Sequence, residues 1–272
     1  MFELSEVMKT FQLPRNRLFG KVPTVTAVDN VSLTISEGES VAIVGESGSG
    51  KTTLLRLLLA LTNATSGTVS YRGRPVSHRG KAVTEVRRQL RRETGLVFQD
   101  PHSTLNPRRT IGQSVAEPLE AHSIRGDHDA MVRDILGRMD LPADAADRYP
   151  RSFSGGERQR VALARALVHS PKVLLGDEPV SALDVLVRGK LIDLLSQLRA
   201  EMGLTLVTVT HDLAVVPKLA DRVLVMTRGA LVEDGSVEQV FTDPQHPYTK
   251  SLISAMPKLG QPRSTPEGVT PQ

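Results

Sequence analysis

The nine residues Gly45-Glu46-Ser47-Gly48-Ser49-Gly50-Lys51-Thr52-Thr53 set the terms for everything else in this chain. They meet every fixed position of G-x-x-x-x-G-K-[ST], a loop that holds phosphate only where a strand feeds it and a helix leaves it. Both flanks comply. Ser40-Val41-Ala42-Ile43-Val44 is a short apolar run with β-branched residues, the pattern of a buried strand. Leu54-Leu55-Arg56-Leu57-Leu58-Leu59-Ala60-Leu61 is rich in helix formers. Glycines at 45, 48 and 50 let the backbone curl, so that several N–H groups face one anion together with Ser47, Ser49 and Thr53. The helix N-terminus adds its partial positive charge. Lys51 can reach the outer phosphates, and the Thr52 hydroxyl can ligate Mg²⁺. A glycine-rich turn before an ordinary helix is the alternative reading, and the strand and helix on the two flanks weigh against it.

Composition limits what such a loop can be built into. The chain has 272 residues, enough for one large domain or a domain with a subdomain. Hydrophobic residues make up 39%, but aromatics only 3% with no Trp, so the core is expected to be aliphatic. The absence of cysteine excludes disulfides and thiolate metal sites and fits a reducing compartment. Met1-Phe2-Glu3-Leu4-Ser5-Glu6 carries acidic residues where a signal peptide carries basic ones. No apolar run approaches the ~18 residues of a membrane span. A chain soluble by itself is the expectation. The net charge of +4 is too mild to require a nucleic-acid partner. The basic run Arg87-Arg88-Gln89-Leu90-Arg91-Arg92-Glu93 can touch nucleic acid or lipid headgroups, or simply be a solvated helix face. No aromatic residues interleave with it, as a single-strand binding surface needs.

Along the chain, strands alternate with helices. Residues 25–35 alternate, with Val31, Leu33 and Ile35 on one face, and end at the turn Glu37-Gly38. Thr68-Val69-Ser70-Tyr71 reads as a further short strand, antiparallel to its neighbour. Buried strands are also expected at Gly95-Leu96-Val97-Phe98, Val173-Leu174-Leu175-Gly176-Asp177-Glu178 and 204–209, and two more short strands at 222–226 and 230–232. Residues 111–149 turn helical, with Val115, Leu119, Met131, Ile135, Leu136 and Met139 at helical spacing. Helices are expected again after Ser154-Gly155-Gly156-Glu157, over 185–202, and as one short piece over 247–256. This pattern predicts an α/β fold with a mainly parallel sheet covered on both faces, an antiparallel β subdomain and an α-helical insertion. The expected organisation is a core domain over 1–243, with a helical subdomain at about 100–169, and an extension over 244–272. Pro, Gly and Ser accumulate in that extension, and its last residues read as disordered.

Polar residues stand at the ends of three expected buried strands: Gln99, the pair Asp177-Glu178, and His211. Ligands of open α/β sheets bind outside the carboxyl ends of strands, which brings all three toward a nucleotide held at the glycine-rich loop. Mg²⁺ takes hard oxygens; Thr52, Asp177 and the phosphates supply them, with Gln99 able to touch the metal or a water. Glu178 can polarise an attacking water as general base. His211 can hydrogen-bond the γ-phosphate or hold Glu178 in register. Each alone has a plainer reading, a solvated strand end or a structural histidine. Together with the loop they make up the parts needed for phosphoryl transfer.

Ser154-Gly155-Gly156-Glu157 forms a second candidate anion-binding helix start, and its S-x-x-E spacing is also that of a capping box. One nucleotide does not easily occupy two helix N-termini of different subdomains. A second copy of the chain, or a paralogue, facing it head to tail resolves this, with each nucleotide between one loop and the other chain's Ser154 region.

On these residues the sequence resembles an ATP-binding cassette (ABC) ATPase along nearly its whole length. Residues 45–52 match the Walker A motif and 173–178 the Walker B with its catalytic glutamate. Gln99 matches the Q-loop and Phe153-Ser154-Gly155-Gly156-Glu157 the signature, with Phe153 and Glu157 where Leu and Gln are commoner. Ser181-Ala182-Leu183-Asp184 matches the D-loop and His211 the switch histidine. The resemblance implies ATP and Mg²⁺ as cofactors, with Asp184 and the Ser154 segment at the nucleotide of a partner ATPase. It implies adenine stacking on Phe11, with Phe19 as the alternative.

Val97-Phe98-Gln99-Asp100-Pro101, Leu105-Asn106-Pro107-Arg108, Asp177-Glu178-Pro179-Val180-Ser181-Ala182-Leu183-Asp184-Val185 and His246-Pro247-Tyr248-Thr249 are similar to the oligopeptide/dipeptide importer ATPases and their nickel-importing relatives. This implies a peripheral ATPase subunit at the inner face of the cell membrane. Two permeases would contact it after Gln99, and an extracytoplasmic substrate-binding protein would act indirectly. Many such ATPases have a cysteine-containing C-terminal region; with no Cys in this chain an iron–sulfur cluster there is unsupported. The short tail also fits the nickel or metallophore branch, so cargo stays open between peptide and metal. An ABC protein acting on ribosomes or DNA usually carries two cassettes or a long coiled coil; here there is one phosphate loop and no sustained heptad. A non-catalytic regulatory subunit is disfavoured by the presence of Glu178 and His211.

Overall fold

The computed structural model describes residues 1–13, 23–76, 81–98, 105–180 and 184–256. Within them the strands fall into two sheets. The first is antiparallel, with order β2-β1-β4-β5 (β1 Phe2–Gln12, β2 Thr24–Ile35, β4 Ser66–Tyr71, β5 Arg74–Pro75). The second has order β10-β9-β3-β8-β7-β6 (β3 Ser40–Val44, β6 Thr94–Val97, β7 Val173–Asp177, β8 Thr205–Thr210, β9 Arg222–Thr227, β10 Ala230–Ser236). Its neighbours pair in parallel except for the edge hairpin β9–β10. The expected α/β architecture, with a parallel sheet, an antiparallel β part and helices packed together in an insertion, is what forms.

Two strands were not expected, the two-residue β5 and the much longer β1. β1 runs through residues where no strand is legible, yet it is the inner strand that pairs with both β2 and β4. The reason lies in its broken alternation. Phe2, Leu4 and Val7 are all buried, a spacing of two and then three residues. The extra residue is taken up at Glu6, which has φ 49° and whose N–H donates to Ser32 Oγ at 2.8 Å. The register with β2 shifts at this point, as at a β-bulge.

Strand β3 is buried throughout, and its two faces feed two cores. Val41 and Ile43 pack toward the antiparallel sheet, with Phe2, Leu4, Val31 and Ile35 and with helix α1 (Lys51–Leu58). Ala42 and Val44 pack on the opposite side, under α7 (Val216–Leu219), α8 (Val237–Thr242) and α9 (Pro247–Ser254). Helix α1 buries Leu54, Leu55, Leu57 and Leu58. Each fully buried leucine stabilises by roughly 1.5–3 kcal/mol, so the helix that follows the glycine-rich loop has a fixed base. Helix α2 (Lys81–Glu93) buries Val83, Val86 and Leu90 and turns the basic run mostly outward, the solvated-face arrangement; Arg87 reaches back to the Val76 carbonyl at 2.9 Å.

The third core joins the helical part to the sheet. α3 (Ile111–Ala121) starts with a Thr110–Gln113 capping box, and α4 (His128–Arg138) is capped by Asp127. They pack through Ile111, Val115, Leu119, Ile135 and Met139 against α5 (Gly155–Leu167), and α6 (Val185–Met202) closes the same core.

Candidate functional site

Strand register alone assembles the site. Parallel pairing sets Val44 beside Thr210 and Asp177 beside Val209. The residues that follow these strands therefore share one edge of the sheet: the glycine-rich loop after β3, Glu178 after β7 and His211 after β8. Between them lies a cavity of about 680 Å³. Phe11, Ala27, Ser47, Gly48, Gly50, Lys51, Thr52 and Thr53 line it together with Asp177, Glu178, Val209 and His211.

The loop takes its shape because two of its glycines cannot be anything else. Gly45 has φ 147°, and a Cβ there would sit 2.1 Å from the Met226 carbonyl oxygen. Gly50 has φ 108°, and its Cβ would meet the Ala27 carbonyl oxygen at 2.2 Å. Only glycine accepts this backbone at such close approach. The turn of the β9–β10 hairpin holds the loop from behind, with the Gly229 N–H donating to the Ser49 carbonyl at 2.9 Å.

Gly50 opens α1 in the left-handed conformation, and no side chain caps that end. Lys51 folds back over the loop, its ammonium donating to the carbonyls of Gly45 and Glu46 at 2.7 Å each, with the buried Ser49 Oγ at 3.5 Å. Burial lowers the Lys51 pKa, against the opposing pull of Glu178, Asp177 and Glu46.

Thr52 and Asp177 form the oxygen pair beside it. The Thr52 hydroxyl donates to Asp177 Oδ1 at 3.4 Å. Desolvation raises the Asp177 pKa, with the hydrogen bond from Thr52 working against it and the Glu178 charge adding to it. A half-buried carboxylate disfavoured by burial beside a hydroxyl is a donor set suited to Mg²⁺, which takes one or two protein oxygens and completes its shell with phosphate and water. Among the described residues no group of three or more His, Cys, Asp or Glu side chains is placed to hold a metal ion by itself.

Glu178 is held in an unusual way. It has φ 52°, rare for a residue with a β-carbon, and its N–H donates to the Val209 carbonyl at 2.8 Å. This turn lifts the side chain off the strand to His211, whose Nδ1 lies 2.6 Å from Glu178 Oε1. A carboxylate accepts from a ring N–H, an assignment that puts the proton on Nδ1; the His211 side chain is 59% exposed.

Phe11, also on the cavity wall, is 40% exposed, with the Lys9 ammonium 4.9 Å from its ring centroid.

Not every expected site residue meets here. Ser154, Gly155, Gly156 and Glu157 do not line the cavity. They start α5 with a complete capping box. The Ser154 N–H and hydroxyl donate to Glu157 Oε2 at 2.8 and 2.7 Å, and Ser154 Oγ accepts from the Glu157 N–H at 3.3 Å. Asp184 caps α6, accepting from the N–H groups of Leu186 and Val187 at 3.1 and 3.0 Å. These two helix starts touch: a Cβ on Gly156 would lie 2.5 Å from Val187 Cγ1. Gln99, Phe19 and the residues 181–183 lie outside the described residues.

Two contacts beside the site escaped the sequence reading. Buried Gln159 donates to the Pro179 carbonyl at 2.5 Å and ties α5 to the segment after Glu178. Tyr248 Oη accepts the Glu46 N–H of the loop at 2.9 Å, across 202 residues. His246-Pro247-Tyr248-Thr249 was legible as a family mark, but nothing local indicates where its side chains point.

With the geometry in place, likeness to known proteins becomes informative. The model of the family described as ABC transporter matches residues 28–181. The chain belongs to the ABC transporter family. Residues 232–272 match a second model, the oligopeptide/dipeptide transporter C-terminal region. The dipeptide transport ATP-binding protein DppF of Haemophilus influenzae is 42% identical over 254 residues, covering 93% of this chain and 77% of that protein. The oligopeptide transport ATP-binding protein OppF of Salmonella typhimurium is 42% identical over 262 residues, covering 94% and 78%. Among solved structures, the dimeric post-hydrolysis state of an ATP-binding cassette bound to ADP and Pi superposes with a TM-score of 0.74 at 30% identity, over 87% of this chain and 99% of that one. As a member of this family the chain is an ATPase subunit that couples hydrolysis to transport. No helix among the described residues is long and apolar enough to cross a membrane.

Proposed function

We propose that this chain is the ATP-hydrolysing subunit of an importer for dipeptides and oligopeptides, acting at the cytoplasmic face of the membrane against two permeases. The hydrogen bond from His211 Nδ1 to Glu178 Oε1, at the mouth of the cavity that holds Lys51 and Thr52, carries the reading. It supports an aligned general base next to a phosphate cradle.

ATP would lie with adenine toward Phe11 and its phosphates on Gly45, Ser47, Gly48, Ser49, Gly50, Lys51, Thr52 and Thr53. The Lys51 ammonium would exchange the Gly45 and Glu46 carbonyls for phosphate oxygens. Thr52 and Asp177, with Gln99 as a further ligand, would hold Mg²⁺, which would supply neutralisation of the phosphate charge. Glu178 would orient a water and take its proton as the water oxygen bonds to the γ-phosphorus and the bond from that phosphorus to the β–γ bridging oxygen breaks, releasing ADP and phosphate; His211 would fix the Glu178 carboxylate through Nδ1–H. A positioned base contributes about 10²–10⁴-fold in rate. Glu178→Gln is therefore expected to keep ATP binding and lose hydrolysis by about that factor; full activity would remove Glu178 from this role.

The Ser154 helix start and Asp184 would complete the nucleotide site of a second ATPase subunit, a copy or a paralogue, placed head to tail. The solved relative that is dimeric with ADP and Pi supports this arrangement. The segment after Gln99 would receive the permeases, and an extracytoplasmic binding protein would select cargo. The C-terminal match and the dipeptide and oligopeptide relatives favour peptides over nickel or a metallophore. Uptake of labelled dipeptide by the complete transporter, lost in Glu178→Gln, tests the cargo; nickel uptake in its place would overturn it.

A further inference from the structure

The C-terminal region carries a motif that the ATPase site, as described, does not use. Gln245 and His246 donate their N–H groups to the Glu233 carboxylate at 2.7 and 3.1 Å. These contacts fasten the start of α9 to β10, where the β9–β10 register shifts. His246 caps α9 through Nδ1, accepting the Tyr248 N–H at 3.2 Å. Pro247 begins the helix, and Leu252 and Ile253 pack on the core face formed by Ala42, Val44, Val223 and Val225. The whole assembly aims one side chain: Tyr248, whose hydroxyl oxygen accepts the Glu46 N–H at 2.9 Å.

Residue 46 is thereby held on both sides. Its carbonyl accepts from Lys51 at 2.7 Å and from the Ser49 N–H at 3.2 Å, while its N–H belongs to Tyr248. When the Lys51 ammonium turns to a phosphate, the Tyr248 contact is independent of that movement. It also commits the Glu46 N–H to Tyr248 Oη instead of to a phosphate, which restrains the loop at residue 46. We propose that Tyr248 is a positioning residue for the phosphate-binding loop, so that the C-terminal region acts on nucleotide affinity. This rests on the ATP site proposed above. Loss of the phenol oxygen would leave the loop less preorganised for the phosphates of ATP, with Glu46 open to a cleft of about 400 Å³ between the loop and α9.

The test uses the full chain, a fluorescent ATP analogue with Mg²⁺, and hydrogen exchange read at the Glu46 amide. Tyr248→Phe is expected to weaken nucleotide binding roughly two- to tenfold, the effect of one lost hydrogen bond. Exchange should rise at Glu46 and stay unchanged in β7 and β8. In the complete transporter KM for ATP should rise by the same factor with kcat unchanged. Glu233→Ala, which leaves Tyr248 itself in place, should give the same split. Wild-type affinity with unchanged Glu46 exchange in Tyr248→Phe overturns the proposal. So does a fall in affinity accompanied by a uniform rise in exchange throughout the chain, the mark of a merely structural helix. Lys51→Ala in the same titration must abolish binding; binding retained there would overturn the ATP site instead.

Discussion

Helices α1 and α5 both follow a small cap residue, and both were candidates to hold phosphate, yet their starts are built on opposite plans. At α1 the cap is Gly50 with φ 108° and no side chain closes it, so the positive end of the helix faces the cavity uncompensated. At α5 the cap is Ser154 in extended conformation, and the Glu157 carboxylate completes a reciprocal box. The first end is left incomplete and needs an anion. The second already has one, its own. A phosphate approaching Ser154 meets the Glu157 charge, so the Ser154 end favours it only if the gain from Ser154 and the backbone N–H groups exceeds that repulsion. This gives a physical reason for unequal roles. Nucleotide would bind first at Gly50–Thr53, and the Ser154 end would engage it only on closure of two subunits.

Equivalent glycine substitutions test the contrast most severely. At Gly50 a Cβ would meet the Ala27 carbonyl at 2.2 Å in a left-handed backbone. The two penalties together are roughly 2–5 kcal/mol, so Gly50→Ala is expected to weaken ATP binding by at least ~30-fold. At Gly155 nothing lies within 4 Å of the added atom, and Gly155→Ala should leave the affinity of the single chain unchanged. Nucleotide titration of both variants decides; equal losses would erase the distinction. Next in size is Ser154→Ala. It removes the cap, about 1 kcal/mol in helix stability, visible as a lower Tm. In the assembled transporter it should also slow hydrolysis on the order of tenfold, as loss of a hydrogen bond to a charged group does, with single-chain ATP binding intact. Slower hydrolysis together with weaker single-chain binding would place Ser154 in the first site instead.

The same contrast explains what was legible in the sequence. The α1 end is encoded in a contiguous stretch, and its partners Asp177, Glu178 and His211 each stand at the end of a buried strand, or just after it, whose apolar run is plain. Parallel register then does the rest. The α5 end was legible as both a capping box and an anion site, because Ser-x-x-Glu spacing serves either; only the hydrogen bonds of Glu157 show the box is formed. β1 was invisible because Glu6 interrupts the alternation of Phe2, Leu4 and Val7, and period-2 reasoning cannot see through a bulge. Tyr248 was invisible as a loop partner because its contact spans 202 residues and depends on α9 being docked by Leu252 and Ile253.

Acid titration gives the smallest effect and the finest comparison, since the carboxylates at the two ends are shifted in opposite senses. The Ser154 N–H, followed by its hydroxyl, holds Glu157 below the ordinary glutamate value. Its stabilising contribution is therefore complete above the unfolded value near 4.5 and is lost as pH falls through the lowered native value. Burial holds Asp177 above its ordinary value of 3.8. There the folded chain takes up a proton before the unfolded chain does, so acidification between the ordinary and the raised value favours the folded form. Glu157→Gln keeps the geometry of the box, since glutamine serves at that position as well, but removes the titrating group. Its Tm should equal that of wild type within a few degrees at pH 7 and should fall less steeply than wild type below pH ~4.5. Asp177→Asn should do the reverse and steepen the acid limb. Thermal unfolding from pH 7 to 3.5 checks both. Parallel curves for wild type and Glu157→Gln would mean that the box carries no charge-dependent stability, and the α5 start would then be as open to an incoming phosphate as the start of α1.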